Sequence, residues 1–510
     1  MNTQRIVIVG GGTAGWLAAA RLAAALTDNV VVTLVESPTV PTIGVGEGTW
    51  PSMRATLQSI GITEREVLKH CEASLKQGTL FKGWVNGQAD DEYMHPFSLP
   101  ADYASLNLAD WWRSRDDGHL FCHAVTPQAA VATANKAPKQ FGMPDYAFAL
   151  NYGYHLDAGK FAELLKHHCT EQLGVIHIRD DVLGVVSDAM GAIERVELAN
   201  TPSLSGDLFI DCTGQRALLI GEHLHSPFES LRDTLPNNRA IVTQVPYGSP
   251  DDEIASCTLS TAQAHGWIWD IGLQSRRGVG YVHDADKISE DEARATLLTY
   301  VSVSTTAEIT SSLTTRVVHF EPGYRPEPWR GNCVAIGLSA GFIEPLEASA
   351  LAMIEQGITT LVENFPANKE LLAPVARLYN KKMTAHWASI QDFLLLHYAL
   401  SQREDTSYWR EARSLERLPQ GLKDKLLLWQ VRAPYHSDAP RLDELFPAAS
   451  YQYVWLGMNG QLDRVLRGDC HDRSLGAERI DRVLHDVREK TLQLTQALPT
   501  NRALLNALTQ

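Results

Sequence analysis

Runs of apolar residues mark a series of buried strands, and the first of them lies at the start of the sequence. Residues 5–9 form a β-branched run that is too short for a buried helix, and residues 30–35 form a second such run. Residues 16–26 are rich in alanine and leucine, which favours a helix between the two strands. Short apolar runs recur at residues 207–211 and 333–337. The pattern predicts buried strands, with a helix after the first.

The rest of the chain shows strand and helix patterns, apart from one stretch that shows neither. Residues 85–150 lack clear periodicity, which predicts functional loops or an insertion. Apolar and polar residues alternate over much of 240–320, which predicts an antiparallel sheet. Helices are expected over residues 52–72 with a break at Gly61, 157–173, 348–401 with a break near 365, 421–429 and 474–510, and strands over 175–178 and 182–186.

Three glycines lie where the first strand meets the first helix. Gly10, Gly12 and Gly15 have the GxGxxG spacing of a dinucleotide-binding turn. In such a turn the first glycine permits a tight bend, the second lets a pyrophosphate approach, and the third lets the helix pack closely. Glu36 ends the second strand, where an acid accepts a hydrogen bond from a ribose hydroxyl. The alternative is a glycine-rich turn without a ligand, and it leaves Glu36 unexplained.

Further parts of the same nucleotide site are expected far along the chain. Asp211 and Gly337 each end a predicted strand, at the edge where open α/β sheets bind ligands. This wide spacing favours FAD over NAD, and the sequence has no second GxGxxG for a nicotinamide cofactor. We expect an α/β fold with an FAD-binding Rossmann-like module of the flavin monooxygenase type, a mixed substrate-side sheet and a largely helical C-terminal part. The module is expected over residues 1–350, interrupted by the 85–150 insertion and the 240–320 sheet, and a mostly helical substrate-side subdomain over 351–510.

Charge and composition argue against several classes of binding partner. The chain has 510 residues, a net charge of −15 and no block rich in Lys and Arg, so we expect no nucleic acid and no membrane partner. No apolar stretch reaches the ~20 residues that span a bilayer, and the first strand begins too early for a signal peptide. The seven cysteines are isolated and the histidines form no ligand cluster, which predicts reduced thiols in the cytoplasm and no metal.

Four further segments combine into a known pattern. They are residues 44–49 (GVGEGT), 73–76 (ASLK) with Phe81 and Trp84, 266–271 (GWIWDI) and 342–347 (FIEPLE). Residues 95–97, 211–214 and 397–401 add to the match. Together these segments resemble the flavin-dependent halogenases of the tryptophan halogenase family, from residue 6 to about residue 410.

The resemblance implies FADH2- and O2-dependent halogenation of an electron-rich, indole-like aromatic. In the family, halide attacks a flavin C4a-hydroperoxide, and the hypohalous acid that forms passes through a tunnel to an active-site lysine. The match places that lysine at Lys76, which hydrogen-bonds the oxidant or captures it as a haloamine, and the assisting glutamate at Glu347. The cofactors implied are FAD, as FADH2, and chloride or bromide, and a separate flavin reductase supplies the reduced flavin.

The resemblance and the glycine motif together assign the remaining site residues. Cofactor binding is expected at Gly10, Gly12, Thr13, Ala14, Gly15, Glu36, Gly44, Val45, Gly46, Glu47, Asp211, Gly337 and Leu346. Substrate binding is expected at His95, Phe97, Trp267 and Trp269, and halide binding at Ser349 and Ala350. Because Trp267 and Trp269 alternate at strand spacing, both rings should lie on one face, where they would separate the substrate from the flavin.

Each of these candidates has a structural alternative. Lys76 could lie on a solvated face, as most lysines do. Glu347 could merely complement the dipole of a helix that starts beside it. The two tryptophans could be core residues, and His95 and Phe97 an ordinary loop pair.

Departures from the family pattern leave the substrate and the reaction open. Gly272 stands where the family signature WxWxIP has proline. Ala350 replaces a family glycine, at a position where we expect a costly positive φ. Residues 451–455 do not reproduce the family's clamp for the amino-acid group of free tryptophan, so another indole or electron-rich ring is an alternative substrate. An FAD monooxygenase that uses no halide and a non-catalytic flavin carrier are the alternative functions, and a homodimer is an open alternative for the assembly.

Overall fold

The computed structural model describes residues 4–26, 30–40, 46–112, 120–458 and 477–509. The chain forms two compact units, each assembled from three stretches of sequence. Unit 1 contains Met1–Ala73, Leu156–Arg232 and Phe320–Trp387, and unit 2 contains Ser74–His155, Asp233–His319 and Ala388–Gln510. The division predicted at residue 350 stays a prediction. Within the described ranges no helix is long and apolar enough to cross a membrane, and no group of three or more His, Cys, Asp and Glu side chains could hold a metal ion.

The strands of the described residues are, in chain order, β1 Gln4–Val9, β2 Val30–Glu36, β3 Glu47–Gly48, β4 Ser74–Lys76, β5 Gly78–Lys82, β6 Glu92–Pro96, β7 Gly153–Leu156, β8 Ile176–Arg179, β9 Val182–Ser187, β10 Ile193–Leu198, β11 Leu204–Ser205, β12 Leu208–Asp211, β13 Glu229–Ser230, β14 Arg239–Pro246, β15 Thr258–Gln263, β16 Gly266–Gly272, β17 Arg276–His283, β18 Thr315–His319, β19 Gly323–Tyr324, β20 Trp329–Arg330, β21 Cys333–Ala335 and β22 Gly341–Phe342.

The α-helices of the described residues are α1 Thr13–Ala25, α2 Ser52–Ser59, α3 Glu64–His70, α4 Leu108–Trp112, α5 Phe121–Val125, α6 Pro127–Thr133, α7 Ala158–Glu171, α8 Glu290–Ser302, α9 Ala307–Ser312, α10 Ser349–Glu363, α11 Leu372–Ala399, α12 Ser407–Ala412, α13 Gln420–Leu428, α14 Ala448–Gly457, α15 Ala477–Ala497 and α16 Asn501–Thr509.

A mainly parallel sheet forms the centre of unit 1. Its strand order is β20-β21-β12-β1-β2-β8, and all neighbouring strands are parallel except the edge pair β20 and β21. The inner residues of β1 and β2 are buried, as expected of a parallel sheet that is covered on both faces. Because the strands run the same way, the carboxyl ends of β1, β2, β12 and β21 lie along one edge, where sheets of this kind bind ligands.

A larger and mostly antiparallel sheet forms the centre of unit 2. Its order is β18-β14-β17-β16-β15-β5-β6, and only the pair β15 and β5 is parallel. Helix α8 starts with a capping box of Ser289 and Glu292 and packs its Leu297 and Val301 on the core of this sheet. In the same unit, β4 pairs antiparallel with β7.

The predicted elements are largely present, and residues 85–150 are the main difference. The α/β class is confirmed, and so is the break at Gly61, which has φ +84°. Residues 85–150 contain β6 and the short helices α4, α5 and α6, each of five to seven residues. A helix of this length completes too few turns for an apolar period to repeat, so the sequence pattern could not reveal it.

Candidate active site

The first turn of unit 1 requires glycine at both ends of the motif. Gly10 has φ +116°, and a Cβ at this position would collide with the carbonyl group of Cys212. A Cβ at Gly15 would collide with the carbonyl oxygen of Gly10. These contacts match the roles expected of the first and third glycines of a dinucleotide-binding turn.

The middle glycine of the motif leaves space instead of filling it. A Cβ at Gly12 would meet no atom of the described residues within 4 Å. Gly12 is also the N-cap of α1, where no described side chain caps the helix and no acidic residue lies in the first turn. The first N–H groups of a helix have no partner within the helix, and they attract phosphate oxygens. The turn therefore fits the pyrophosphate of FAD.

Glu36 lies at the end of β2 and contacts groups that sequence analysis did not identify. Its carboxylate oxygen Oε2 is 2.9 Å from Nε2 of His177 and 3.9 Å from Nζ of Lys166. Gly11 makes room for the acid, because a Cβ there would lie 2.6 Å from Cδ of Glu36. A glycine between the motif positions and a histidine on the neighbouring strand β8 were the signals that could have indicated this arrangement.

The turn after β12 completes this edge of the sheet. The carboxylate of Asp211 accepts hydrogen bonds from Oγ1 of Thr213 (2.6 Å) and from the backbone N–H groups of Leu219 and Ile220 (both 2.8 Å). Burial nevertheless raises the pKa of Asp211. Its side chain shapes the turn, and its predicted contact with the cofactor stays a prediction.

Gly337 brings the last parallel strand to the same place. It has φ +80°, and a Cβ there would lie 2.8 Å from Cβ of Ala14 in α1. Since Gly10 lies against Cys212, the structure brings the predicted segments 10–15, 211–214 and 336–341 together at one edge of the sheet. This convergence is what the sequence analysis expected of an FAD site.

The glycine-rich segment after Glu36 is described only in part. Gly44 and Val45, which the family resemblance assigns to the cofactor, lie outside the described residues. Gly46 has φ +95°, and desolvation raises the pKa of Glu47 to about 7. Close behind them, Nε1 of Trp50 donates a hydrogen bond to the carbonyl oxygen of Glu347 at 2.8 Å.

The segment before α10 has an unusual backbone. Glu347 (φ +66°) and Ala348 (φ +55°) are both left-handed, and Leu346 and Glu347 are buried. Ala350 lies in the first turn of α10, and φ is not positive there. Our expectation of a positive φ at Ala350 is therefore wrong: the left-handed bend falls two and three residues earlier, and an alanine inside a helix is unstrained.

Lys76 is the last residue of β4 and is buried. Its side chain is 1% exposed, and Nζ lies 5.4 Å from the centre of the Phe97 ring. The adjacent backbone is anchored on both sides, by a hydrogen bond from Asn501 Nδ2 to the Leu75 carbonyl (3.1 Å) and from Gln77 N to the Ser256 carbonyl (2.7 Å). The alternative that Lys76 lies on a solvated face is wrong.

A histidine near Lys76 was not identified from the sequence. His155 lies on β7 opposite Ser74, is fully buried, and its Nε2 is 2.8 Å from Oγ1 of Thr258. Burial, followed by the positive charge of Lys76, lowers the pKa of His155 well below its usual value. The histidine is therefore neutral at physiological pH and adds no charge beside Lys76.

Trp267 and Trp269 occupy alternate positions of β16, with ring centres 6.3 Å apart. Trp269 lies opposite Gly280 of β17, and a Cβ at Gly280 would lie 2.6 Å from Cε2 of the indole. Trp267 is buried beside Trp84, with 6.2 Å between the ring centres. A glycine beneath one ring and an aromatic neighbour beside the other fix both orientations.

Gly272, which replaces the signature proline, ends β16 in a crowded place. A Cβ there would lie 2.9 Å from both Tyr247 Oη and Ile254 Cγ2. The carbonyl of Gly272 accepts a hydrogen bond from Oγ of Ser74, two residues before Lys76. The neighbours of this position therefore occupy the space that a larger residue would need.

His95 and Phe97 lie at the end of β6 and have different neighbours. Nε2 of His95 is 2.9 Å from Oγ of Ser450 in α14, and its ring centre is 5.4 Å from that of Phe393 in α11. Phe97 is half-buried and lies beside Lys76. The structure therefore places Phe97 beside Lys76 and packs His95 against α11 and α14.

Comparison with known proteins relates this geometry to a family. The family model for tryptophan halogenase matches residues 5–467. The 7-chloro-L-tryptophan 6-halogenase KtzR of Kutzneria sp. (strain 744) is 33% identical over 518 residues, covering 97% of this chain and 98% of that protein. A crystal structure of a tryptophan halogenase from Shewanella frigidimarina NCIMB 400 is 44% identical, with a TM-score of 0.95 over 100% of this chain and 98% of that one. BrvH, a flavin-dependent halogenase from Brevundimonas sp. BAL3, is 31% identical, with a TM-score of 0.87 over 100% of both chains.

These matches confirm the predicted resemblance, the Rossmann-like fold class and the enzyme class. Flavin-dependent halogenases use FAD and a halide ion, act on aromatic substrates and receive reduced flavin from a separate reductase. The predicted cofactors are confirmed, and so is FADH2-dependent aromatic halogenation as the activity. The individual steps of the mechanism stay a prediction. Since the family model covers most of the chain and the relatives exceed 30% identity, the chain belongs to the tryptophan halogenase family.

Proposed function

We propose that this enzyme uses FADH2, O2 and chloride or bromide to halogenate an electron-rich, indole-like ring, and that Lys76 is the residue that delivers the halogen. The observation that carries the proposal is the burial of Lys76 beside the Phe97 ring, in the segment that matches the family. A buried ammonium close to an aromatic ring is costly to maintain without a function. A structural lysine of this kind would more often be exposed.

Lys76 and Glu347 have different roles in the proposed reaction. Bound FADH2, with O2 and halide, supplies hypohalous acid. The ammonium of Lys76 has only hydrogen-bond donors, so it donates to the oxygen of this acid and presents the halogen to the substrate ring. Glu347 stabilises the cationic ring that forms when the halogen adds, or accepts the proton that the ring then loses.

The halide and the cofactor are assigned to unit 1. Ser349 and Ala350 offer backbone N–H groups in the first turn of α10, which suits an anion. Cofactor contacts are proposed for the glycine turn with Glu36, Asp211, Gly337 and Leu346, and for the segment that contains Gly46 and Glu47. The glycine turn, the turn after Asp211 and the turn at Gly337 converge at one edge of the parallel sheet, and this convergence supports the assignment.

The aromatic residues of unit 2 are proposed to form the substrate side of the reaction. Trp267 and Trp269 exclude water from the path of the oxidant, and Phe97 with His95 contacts the substrate ring. The packing of Trp269 on Gly280 supports this role, because it holds a large ring on the sheet surface in one orientation.

The substrate is proposed to be an indole-like ring that need not be free tryptophan. The names of SttH and RebH give tryptophan as the substrate, and the name of KtzR gives 7-chloro-L-tryptophan. In this chain, however, polar groups of α14 are used internally: Nε2 of Gln452 donates to the Pro434 carbonyl (2.6 Å), and Oη of Tyr453 donates to the Ser98 carbonyl (2.9 Å). These groups are therefore engaged in packing instead of binding an amino acid.

The expected partners and location complete the proposal. A reductase supplies FADH2 in transient encounters, a homodimer is the proposed assembly, and the cytoplasm is the proposed compartment. The free thiols of Cys71, Cys122, Cys169, Cys212, Cys257 and Cys333 support a reducing compartment.

The deciding experiment combines the protein with FAD, a flavin reductase, NADH and chloride or bromide. A panel of indoles, phenols and free tryptophan is then searched for products by mass spectrometry. We expect halogenated products from the wild type and a loss of about 10³-fold in Lys76→Ala, with FAD binding unchanged. Lys82→Ala is the matched control, since Lys82 is an exposed lysine at the end of β5, and it should keep full activity.

Other outcomes would overturn the proposal in distinct ways. Oxygenated products without halide dependence, together with an active Lys76→Ala variant, would indicate a monooxygenase. FAD binding without product from any ring in the panel would indicate a flavin carrier.

A further inference from the structure

A buried carboxyl joins two helices of unit 1. Glu355 lies on α10 and is 5% exposed. Its oxygen Oε2 accepts a hydrogen bond from Oγ of Ser52 at 2.9 Å, and Oε1 accepts one from Oγ1 of Thr56 at 2.5 Å. Ser52 and Thr56 are four residues apart, so they lie on one face of α2. One carboxyl therefore holds two turns of α2 against α10.

Both helices start at segments that the proposed function assigns to the active site. Helix α2 follows directly on Trp50 and Pro51, behind the segment that contains Gly46 and Glu47. Helix α10 follows directly on Glu347 and Ala348. The hydrogen bond from Trp50 Nε1 to the Glu347 carbonyl is a second link between the same two chain segments.

The backbone between these links is strained and needs support. Left-handed φ values cost residues other than glycine about 1 kcal/mol or more each, and Glu347 and Ala348 both have them. Such residues persist only when the surrounding structure holds them. No side chain in the described ranges caps the start of α10. A backbone hydrogen bond from Ala348 N to the Pro345 carbonyl (3.0 Å) closes the bend, and the two links to α2 add to this local support.

Charge near Glu355 is sparse. Desolvation raises its pKa to about 7, and the charged group that acts on it is the guanidinium of Arg21 in α1. Arg21 itself donates to Oγ of Ser59, at the end of α2. The carboxyl is thus held by two hydroxyl groups and has no close ion pair among the described residues.

We propose that Glu355 is a positioning residue for the halide: by fixing α2 against α10, it holds the left-handed Glu347–Ala348 pair and so sets the direction of the N–H groups of Ser349 and Ala350. This assignment rests on the proposed function, because it takes those N–H groups as the halide site. Glu355 lies about one and a half turns along α10 from that site, so it acts through the backbone and does not touch the halide.

The test compares variants that break or keep the two hydrogen bonds. Glu355→Leu removes them, whereas Glu355→Gln keeps an acceptor for one hydroxyl and offers a donor to the other. The double variant Ser52→Ala with Thr56→Val removes the same bonds from α2 and keeps the acid. Glu363→Gln is the control, because Glu363 is an exposed carboxyl at the end of the same helix.

Two measurements are needed. The first is hydrogen exchange of the peptide that spans residues 346–352 in the FAD-free protein. We expect exchange at least tenfold faster in Glu355→Leu and in the double variant, and within twofold of wild type in Glu355→Gln and Glu363→Gln. The second is halogenation at varied bromide, where we expect a KM for bromide at least fivefold higher in Glu355→Leu and in the double variant, a larger change than any fall in kcat that the loosening of Glu347 causes.

The outcomes separate this proposal from the proposed function. Unchanged exchange and unchanged bromide KM in the double variant would overturn the positioning role even if Glu355→Leu does not fold. A protein that makes no halogenated product would overturn the proposed function, and the exchange measurement would still report whether Glu355 supports the segment. A rise in exchange with an equal fall in kcat at saturating bromide would also contradict a role in halide positioning.

Discussion

The glycine turn of unit 1 and the lysine strand of unit 2 are held by partners at very different distances along the chain. Gly10 packs on Gly15 and on the turn after another strand of its own parallel sheet. The strand that carries Lys76 is anchored by Asn501, which lies 426 residues beyond Leu75. The contact between Gly10 and Gly15 follows from local backbone rules, whereas the contact with Cys212 and the anchor on Asn501 exist only once distant segments have packed. A sequence motif therefore describes the local turn better than the long-range contacts in either unit.

The largest expected effect tests the two kinds of glycine in the turn. Gly10→Ala should lower the free energy of unfolding by about 3 kcal/mol or more, because a Cβ at φ +116° is strained and meets the Cys212 carbonyl. Gly12→Ala should cost less than about 1 kcal/mol, the usual range for an N-cap change. It should nevertheless weaken FAD binding at least tenfold. Urea unfolding of the FAD-free protein and FAD titration measure the two effects, and equal destabilisation would contradict this distinction.

The next effect concerns the pH dependence of unit 1. The pKa of Glu355 is about 7 in the folded chain against an ordinary 4.5, so its stabilisation is complete below pH 4.5 and is lost as pH rises through 7. This difference in pKa corresponds to about 3 kcal/mol in the free energy of unfolding. Urea unfolding between pH 5 and 8 should show this fall in the wild type and a flatter profile in Glu355→Gln. Parallel profiles would show that Glu355 does not titrate in this range.

A middle-sized effect is expected where Trp269 packs on Gly280. Gly280→Ala should destabilise the protein by about 2 kcal/mol, since the new methyl group overlaps the indole and the ring must move. In a Trp269→Leu background the same change should cost much less. A double-mutant cycle by urea unfolding measures this coupling, and additive effects would mean that the ring does not lie on the glycine.

The smallest expected effect is a loss of stability of unit 2 at acidic pH. The pKa of His155 is well below its ordinary 6.5 in the folded chain, so its stabilisation is present above pH 6.5 and is lost as pH falls. One group contributes at most about 1.4 kcal/mol per pH unit. His155→Gln should flatten the stability profile between pH 6.5 and 5, whereas His167→Gln, at an exposed position of α7, should not. If both behave like wild type, His155 is protonated in the folded chain.

The two buried acid–base groups thus give opposite pH slopes. Glu355 makes unit 1 less stable as the pH rises, and His155 makes unit 2 less stable as it falls. If each variant removes its own slope and leaves the other unchanged, the two regions titrate independently.

The parts of the site that sequence could predict depend on spacing along one segment. Gly10 and Gly15 make the close contacts predicted for the first and third glycines because a turn between a strand and a helix is a local structure, and the pyrophosphate contact of Gly12 stays a proposal. The sequence predicts the left-handed bend at Ala350, three residues after its actual start at Glu347. The position of this bend depends on how the preceding segment packs, which the sequence motif does not specify. The contact of Trp269 with Gly280 depends on the register between β16 and β17, and this register cannot be predicted from a single sequence.

The hydrogen bond from Asn501 to Leu75 also has a consequence for biosynthesis. During translation the strand with Lys76 leaves the ribosome early, but the residue that anchors it is made more than four hundred codons later. The strand with Lys76 therefore cannot reach its final state until Asn501 has also been synthesised. Proteolytic trimming before residue 501 should leave the cofactor turn intact and loosen the lysine.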